Sequence, residues 1–215
     1  MLGLQRNQLV WLHPEAWQGI ISRPWDSQAL TILKHWAEQH LPLVVARQRE
    51  GTDPSHICLG LPAPLQWERR KLALEASATE VLRTGHFSWL HELVLRGDWH
   101  PGVHERARAL KALGLQARVY GSHGWQHITG MPCVHAASDL DLCFEVPDTD
   151  TAMALCKVLA ELDHGMPLDG EVVFRQGGGV AWRELHQLAS GQARQVLARN
   201  RHSLQLVDIN RLRDL

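Results

Sequence analysis

Two aspartates separated by a single residue, Asp139 and Asp141, lie in a stretch with the composition of a buried strand. Successive residues of a strand point to opposite faces of a sheet, so the two carboxylates share one face while Leu140 and Leu142 pack on the other. Carboxylates held side by side repel each other unless a cation lies between them. The chain is therefore predicted to form a sheet with one polar face that can hold a metal ion.

A Gly-Ser pair, Gly121 and Ser122, follows a short apolar strand upstream of the two acids. Glycine lets a ligand approach the backbone closely, and the turn offers N–H and hydroxyl donors to a phosphate. Mg²⁺ takes oxygen ligands and is usually held by one or two carboxylates together with substrate phosphates. The sequence therefore predicts Mg²⁺ as the cofactor and metal-assisted attack on a nucleotide phosphate as the reaction.

A third acid is expected on a neighbouring strand, reached through a predicted helix that ends near Leu162. Asp169 and Glu171 both lie there and, being two residues apart, share one face of that strand. Asp169 is at the strand start, where an acid can instead cap a turn, while Glu171 precedes an apolar run. Both stay candidate catalytic residues, and Glu171 is slightly preferred as the metal ligand that joins Asp139 and Asp141.

Composition limits the classes of partner. The 215 residues carry a formal net charge of -1 at pH 7, whereas sequence-independent binding of nucleic acid needs a basic excess. No apolar run is long enough for a membrane span, and the first residues lack the pattern of a signal peptide. The four cysteines form no C-x-x-C pair, which favours a reduced, cytoplasmic protein.

The chain is predicted to form two domains, residues 1–98 and 99–215, because glycine and proline punctuate the stretch from Arg96 to Gly102. The second half alternates strands and helices, so an α+β fold with helices on one face of a sheet is expected. The predicted helices include Glu68–Leu82 and Gly191–Arg199. A further helix over Ser27–His40 is predicted because its apolar residues recur on one helical face.

The order of a Gly-Ser turn, a D-x-D pair and a later acid resembles the pattern of the polymerase-beta-like nucleotidyltransferase superfamily. The connection between turn and acids is longer than usual in that superfamily. Two segments, Tyr120–Gly130 and Ser138–Leu142, closely resemble the phosphoribosyl-dephospho-CoA transferase family of the malonate decarboxylase system. Further similarity to this family, spanning nearly the whole chain, lies in Arg23–Trp25, Leu43–Arg47, Asp169–Phe174 and Ala181–Leu185.

The resemblance implies an enzyme that moves 2′-(5″-triphosphoribosyl)-3′-dephospho-CoA to a serine of the apo acyl carrier protein of malonate decarboxylase, releasing pyrophosphate. It implies a nucleotidyltransferase-like mixed sheet in the second domain, and a first domain that binds substrate or carrier protein. Asp139 and Asp141 would hold Mg²⁺ against the triphosphate. Gly121 and Ser122 would cradle the leaving pyrophosphate.

His123, Arg47 and Arg118 are further candidates for binding the phosphorylated substrate. The spacing of His123 and His127 could also suit zinc, but Gly124 stands where an H-E-x-x-H site has its glutamate. Two other functions stay open. One is a different Mg²⁺-dependent nucleotidyltransferase acting on a small molecule, a protein or RNA, and the other is a non-enzymatic nucleotide-binding module, against which the intact acid pair weighs.

Overall fold

The structure is a computed structural model that describes residues 3–97, 99–162 and 166–215. They form two compact units. The first is built from Met1–Phe87, Trp125–Val134 and Arg201–Ser203, and the second from Ser88–Gly124, His135–Asn200 and Leu204–Leu215. The boundary predicted after residue 98 stays a prediction, and Asp98 itself lies outside the described residues.

The first unit contains a five-stranded antiparallel sheet among the residues that the structure describes. Its strands are β1 (Leu9–Leu12), β2 (Leu43–Val45), β3 (His56–Pro62), β4 (Lys71–Ser77) and β5 (Val81–Gly85), in the order β4-β3-β2-β1-β5. Two helices, α1 (Pro14–Ile21) and α2 (Ser27–Glu38), belong to this unit. Short 3-10 helices cover Leu65–Trp67 and Ala78–Glu80.

Helix α2 forms as its sequence predicts. The Asp26 side chain accepts a hydrogen bond from the backbone N–H of Ala29 at 3.0 Å, which caps the first turn. Ile32, Leu33 and Trp36 then recur at helical spacing and are fully buried. The periodicity and the cap are both local signals, so the prediction of this helix is confirmed.

The predicted helix over Glu68–Leu82 is wrong, because this segment forms β4, a 3-10 turn and β5. Leu72, Leu74 and Ala76 alternate with more exposed residues, which is the period of a strand with one buried face. Leu72 and Ala76 are four residues apart, a spacing that satisfies both a period of two and a period of 3.6. Pairing with β3 along the whole of β4 decides in favour of the strand.

The second unit contains a six-stranded mixed sheet, again counting only described residues. Its strands are β6 (Ala117–Val119), β7 (Leu140–Glu145), β8 (Leu168–Val173), β9 (Gly179–Ala181), β10 (Val196–Arg199) and β11 (Leu204–Val207), in the order β11-β10-β9-β8-β7-β6. The helices are α3 (Leu90–Val94), α4 (Pro101–Ala112), α6 (Thr149–Glu161) and α7 (Trp182–Ala189), and α5 (Gly121–Thr129) begins in this unit but has residues 125–129 in the first. None of the helices in the described part of the chain is long and apolar enough to cross a membrane.

Strands β7 and β8 are parallel and joined by α6, whereas the other neighbouring pairs in this sheet are antiparallel. Leu140, Leu142 and Phe144 of β7 are buried in one core with side chains from α3, α4, α6 and α7. The helices therefore cover one face of the sheet, and the alternate residues of β7 point to the other face. The predicted α+β fold with a mixed sheet is confirmed.

The predicted helix over Gly191–Arg199 is wrong, because the segment ends in strand β10. Val196 and Ala198 alternate as buried residues, and β10 pairs along its length with β11. The carboxylate of Glu184 in α7 also accepts a hydrogen bond from the backbone N–H of Leu197 at 3.0 Å. Glu184 precedes Leu197 by thirteen residues and lies outside the segment, so the periodicity within the segment could not reveal this hydrogen bond.

Candidate active site

Three aspartates meet on the sheet face that the helices of the second unit leave uncovered. Asp139 directly precedes β7, Asp141 lies within it, and Asp169 is opposite Asp141 in the parallel β7–β8 pair. One carboxylate oxygen from each of the three lies within 4.8 Å of the others. Among the described residues, these three aspartates form a possible metal site, and their oxygen ligands and negative charge suit a hard divalent cation.

The backbone around each acid is fixed by hydrogen bonds. Before β7, the Ser138 hydroxyl accepts from the His135 N–H at 3.0 Å, and the Ser138 N–H donates to the His135 carbonyl at 2.9 Å. The Leu140 N–H donates to the Pro167 carbonyl at 2.8 Å, joining the starts of β7 and β8. The Asp169 carboxylate accepts from the N–H of Gly170 at 2.7 Å. The acids therefore sit on a rigid frame rather than on a loose loop.

Glu171 is one step further along the same face of β8, opposite Cys143. It is only 6% exposed and is not a member of the carboxylate group that Asp169 joins. A Cβ atom on Gly179 of the adjacent strand would come within 2.5 Å of the Glu171 carboxyl carbon, so the glycine leaves room for this acid. The structure thus places both candidate third acids beside the pair but brings only Asp169 within the group.

The Gly-Ser turn is seated directly against Asp141. The Tyr120 N–H donates to the Asp141 carbonyl at 3.1 Å, so the β6–β7 pairing extends to the start of the turn. Gly121 has φ of +59°, and a Cβ atom there would lie 1.7 Å from Asp141 Oδ2. A residue with a side chain cannot occupy this position without displacing the carboxylate, which explains the glycine.

Helix α5 begins at the same turn. The Gly124 N–H donates to the Tyr120 carbonyl at 3.1 Å, which is the first bond of the helical pattern. The N–H groups of the three preceding residues have no acceptor within the helix, and the helix dipole adds positive potential there. Ser122 and His123 lie in this first turn and are half-buried. Backbone N–H donors beside a cluster of acids suit a phosphate that is bound to the same cation as the acids.

His123 presents a ring nitrogen at this turn. Its Nε2 is buried and has no hydrogen-bond partner among the described residues. The ring lies 5.2 Å from the ring of Trp99, measured between centroids. Burial lowers the pKa of His123 below its usual value, and the nearby charge of Asp139 opposes part of that shift. The imidazole is therefore kept neutral near pH 7.

Tyr120 is a site residue that the sequence reasoning missed. Burial raises the pKa of Tyr120 well above its usual value, and the charges of Asp141, Glu171 and Asp169 raise it further. The phenol therefore stays protonated and can act as a hydrogen-bond donor next to the acids. Its position directly before Gly121, at the end of a strand that delivers the turn, was the sequence signal that could have identified it.

Arg118 lies on the acid-bearing side of the sheet at its edge, opposite Cys143 in the β6–β7 pairing. Its guanidinium is 3.6 Å from the centroid of the Trp89 ring, and its Nε donates to Glu145 at 3.0 Å. The residue is thus held in place by its own chain at the margin of the site. Arg47 is exposed in the first unit, and its predicted role in substrate binding stays a prediction.

Two family models match consecutive parts of this chain. The model described as "Phosphoribosyl-dephospho-CoA transferase MdcG N-terminal domain" matches residues 5–87, and the model of the C-terminal domain of the same family matches residues 89–210. The second match contains the three aspartates, the Gly-Ser turn, Tyr120 and Arg118. The first contains Arg47.

Similar proteins named phosphoribosyl-dephospho-CoA transferase agree with these matches. One from Xanthomonas campestris pv. campestris (strain 8004) is 32% identical over 211 residues, covering 94% of this chain and 93% of the relative. Another from Bradyrhizobium diazoefficiens is 29% identical over 207 residues, covering 94% of this chain and 89% of the relative. No solved structure matches the chain significantly. On this basis the chain belongs to the phosphoribosyl-dephospho-CoA transferase family, and it is a transferase.

Proposed function

We propose that this chain transfers the phosphoribosyl-dephospho-CoA group from 2′-(5″-triphosphoribosyl)-3′-dephospho-CoA to a serine hydroxyl of the apo acyl carrier protein of malonate decarboxylase. The serine oxygen forms a bond to the α-phosphorus of the triphosphate, and the bond from that phosphorus to pyrophosphate breaks. The observation that carries the proposal is the group of Asp139, Asp141 and Asp169 beside the Gly121 turn. The relatives' name, phosphoribosyl-dephospho-CoA transferase, supports this choice of transferred group.

The three aspartates would hold Mg²⁺. Three carboxylates within 4.8 Å of one another repel strongly, and oxygen ligands of this kind match the preference of a hard cation. When bound, the ion would neutralise charge on the triphosphate during displacement. Asp169 is proposed as the third ligand in place of Glu171, because its carboxylate reaches the pair.

The chain's own groups would position the triphosphate and handle the proton. The N–H groups of the first α5 turn and the Ser122 hydroxyl donate to oxygens of the departing pyrophosphate. His123 offers its neutral ring as a further donor through Nε2 in the matching tautomer. The proton of the attacking serine passes to a carboxylate of the group, for which the exposed Asp169 is best placed. Catalysis then rests mainly on positioning and charge.

The direct test mixes the protein with triphosphoribosyl-dephospho-CoA, Mg²⁺ and apo carrier protein, and follows the mass of the carrier. The carrier should gain one prosthetic group, and chelation of the metal should stop the gain. A folded wild-type protein that leaves the carrier mass unchanged would contradict the proposal. Asp139→Asn and Asp141→Asn should lower the transfer rate by at least about 100-fold, because each removes charge from the proposed metal site.

The third ligand is tested by a matched pair, Asp169→Asn and Glu171→Gln. We expect Asp169→Asn to lose the rise in melting temperature that Mg²⁺ gives to the wild-type protein, because a ligand that binds only the folded state stabilises it. Glu171→Gln should keep most of that rise. This readout does not depend on transfer activity. The reverse result, with Glu171→Gln losing the Mg²⁺ effect, would assign the ligand to Glu171.

A further inference from the structure

A groove of about 770 Å³ lies between α3, α4 and β6 in the second unit. Ala117, at its floor, points into the helix-covered core, whereas its neighbour Arg118 faces the acid-bearing side. The groove therefore lies on the side of the sheet opposite the aspartates and is not part of the site above. We call it the α3–α4 groove, and its apolar lining includes Leu90, Val94, Leu95, Leu110, Leu115 and Ala117.

The rim of the α3–α4 groove is basic. His104, Arg108 and Lys111 line it, and their spacing of four and three residues puts them on one face of α4. His91 lies on the α3 side of the groove. Arg108, Lys111 and His91 are exposed. Because the whole chain has a net charge of -1, the charges of Arg108 and Lys111 are a local concentration of positive charge and not a property of the general surface.

The nearest acids of these helices do not line the groove. Glu92 accepts a hydrogen bond from the Trp89 N–H at 3.3 Å, so it is directed to the start of its own helix. Glu105 lies about 100° round α4 from His104 and is exposed. The charged side chains that line the groove are thus of one sign, and an occupant with acidic groups beside an apolar surface would match it.

We propose that the α3–α4 groove docks the carrier protein through an acidic amphipathic helix, an inference that rests on the proposed function. A helix laid in a groove buries its apolar face and leaves its polar residues at the rim. The stripe from His104 to Lys111 covers about 10 Å of helix axis, or two turns, at 1.5 Å per residue. Acids at spacings of four and three on the partner helix would lie along it.

A small ligand fits these observations less well than a helix. Small-molecule sites bury most of the ligand and place their polar groups inside the pocket. Here Leu95 at the groove is 85% exposed, and the exposed charges of Arg108 and Lys111 project from the helix surface. An exposed leucine next to surface charges matches the apolar centre and polar rim of a protein–protein interface.

The groove and the acid-bearing face are joined at the sheet edge. Strand β6 is the terminal strand of its sheet in the part of the chain that the structure describes. Leu90 lines the groove, and Trp89, the preceding residue, contacts Arg118 on the acid side. A partner held in the groove would therefore lie at the same edge as the margin of the catalytic face.

The test measures the dissociation constant of apo carrier protein without the precursor, by calorimetry, so that catalysis is not required. The double variant Arg108→Glu with Lys111→Glu should bind at least about tenfold more weakly and should lose most of the salt dependence of binding. The matched control, Lys157→Glu with Arg194→Glu, makes the same change in net charge at exposed positions that do not line the groove. It should bind within about twofold of wild type.

A second variant, Leu95→Ser, tests the apolar part of the groove. Since Leu95 is 85% exposed, its replacement should leave the fold and the melting temperature unchanged. Carrier binding should weaken by about three- to tenfold, because apolar contact is lost. In steady-state transfer, both groove variants should raise KM for the carrier and leave kcat within about twofold.

The outcomes separate this inference from the proposed function. Transfer by wild type together with unchanged carrier binding in Arg108→Glu/Lys111→Glu overturns the groove assignment alone. Absence of transfer by wild type overturns the proposed function, while the binding series still decides whether the carrier uses the groove. If sedimentation shows that the groove variants disrupt a dimer and leave carrier binding intact, the occupant is a second copy and the carrier proposal is overturned.

Discussion

The Gly-Ser turn and the group of aspartates come together at the contact between Gly121 and Asp141, where residue 121 has no side chain. At Gly121 both the positive φ and the approach of Asp141 Oδ2 exclude a Cβ atom. Tyr120 holds the backbone of the same strand pair together through its N–H. The turn and the acid therefore have one relative position, which is what in-line displacement requires.

Gly121→Ala should reduce the rate of transfer by at least about 100-fold, because the added methyl group displaces the Asp141 carboxylate. Gly191→Ala is the matched control. Gly191 also has a positive φ, of +73°, but a Cβ atom there meets nothing within 4 Å. Both variants should lower the melting temperature, because each puts a side chain at a positive φ, while only Gly121→Ala loses activity. Equal activity in the two variants would refute the assignment.

Asp26 and Arg70 form an ion pair in the first unit. The hydrogen bonds from Arg70 and from the Ala29 N–H hold the pKa of Asp26 below its usual value. A lowered carboxyl pKa means that the ion pair stabilises the fold at neutral pH, and that this contribution is lost as pH falls below about 4. Asp26→Asn keeps a capping side chain but removes the charge.

The urea midpoint of Asp26→Asn should therefore lie below that of wild type at pH 7, and the difference should shrink as pH is lowered towards 3. Arg70→Gln removes the other partner of the same ion pair and should show the same convergence. A difference between wild type and Asp26→Asn that stays constant across this pH range would show that the charge of Asp26 does not contribute.

At the scale of elements, helix α7 holds strand β10 through one carboxylate. Glu184 accepts from the Leu197 N–H at 3.0 Å and from Arg199 Nη2 at 3.2 Å. The same strand pairs with β11 along its length but meets β9 at a single residue pair, Arg199 with Gly179. The hydrogen bonds of Glu184 therefore supplement the short pairing between β10 and β9.

Glu184→Ala should lower the free energy of unfolding by about 1–3 kcal/mol, because a backbone N–H and a guanidinium both lose their acceptor. Glu184→Gln should cost less, since its amide oxygen can still accept from Leu197. Glu161→Ala, at an exposed position of α6, serves as the control and should stay within about 0.5 kcal/mol of wild type. Equilibrium urea unfolding measures all three, and an unchanged free energy of unfolding in Glu184→Ala would show that this contact does not stabilise the fold.

At the scale of the whole molecule, the compact units do not follow the two family matches along the chain. Residues 125–134 fall within the C-terminal match but pack into the first unit. The Leu65 N–H donates to the Pro132 carbonyl at 2.9 Å, and the Phe87 and Trp125 rings meet edge to face at 5.5 Å. The first unit is therefore completed by a segment of the second half of the sequence.

Fragments 1–87 and 88–215, produced together, should consequently co-purify through a tag on either one. Fragment 1–87 alone should be less stable than the same residues in the full chain, because it lacks the segment that contacts Leu65 and Phe87. Trp125→Ala in the longer fragment should weaken the association, whereas Lys157→Ala, at an exposed position in the second unit, should not. A stable, fully folded fragment 1–87 that does not bind its counterpart would contradict this.

Local sequence patterns were sufficient for several features of the fold and the site. The i, i+2 spacing of Asp139 and Asp141 put both on one face of a strand, and the Gly-Ser pair marked the turn that meets them. Helix α2 was readable because its cap and its apolar face are encoded within one segment. In each case the residues that determine the structure are neighbours in the chain, so periodicity alone carries the information.

The tertiary structure decided what depends on pairing between distant segments. Strand β4 has spacings that satisfy both a helix and a strand, and only its ladder with β3 chose between them. The parallel register of β7 and β8 places Asp169, and not Glu171, opposite Asp141, which no pattern within β8 could show. Tyr120 comes next to these acids through a second pairing, that of β6 with β7, which its N–H extends to the Asp141 carbonyl. Register is a non-local property, because it is set by the packing of one whole face against the core.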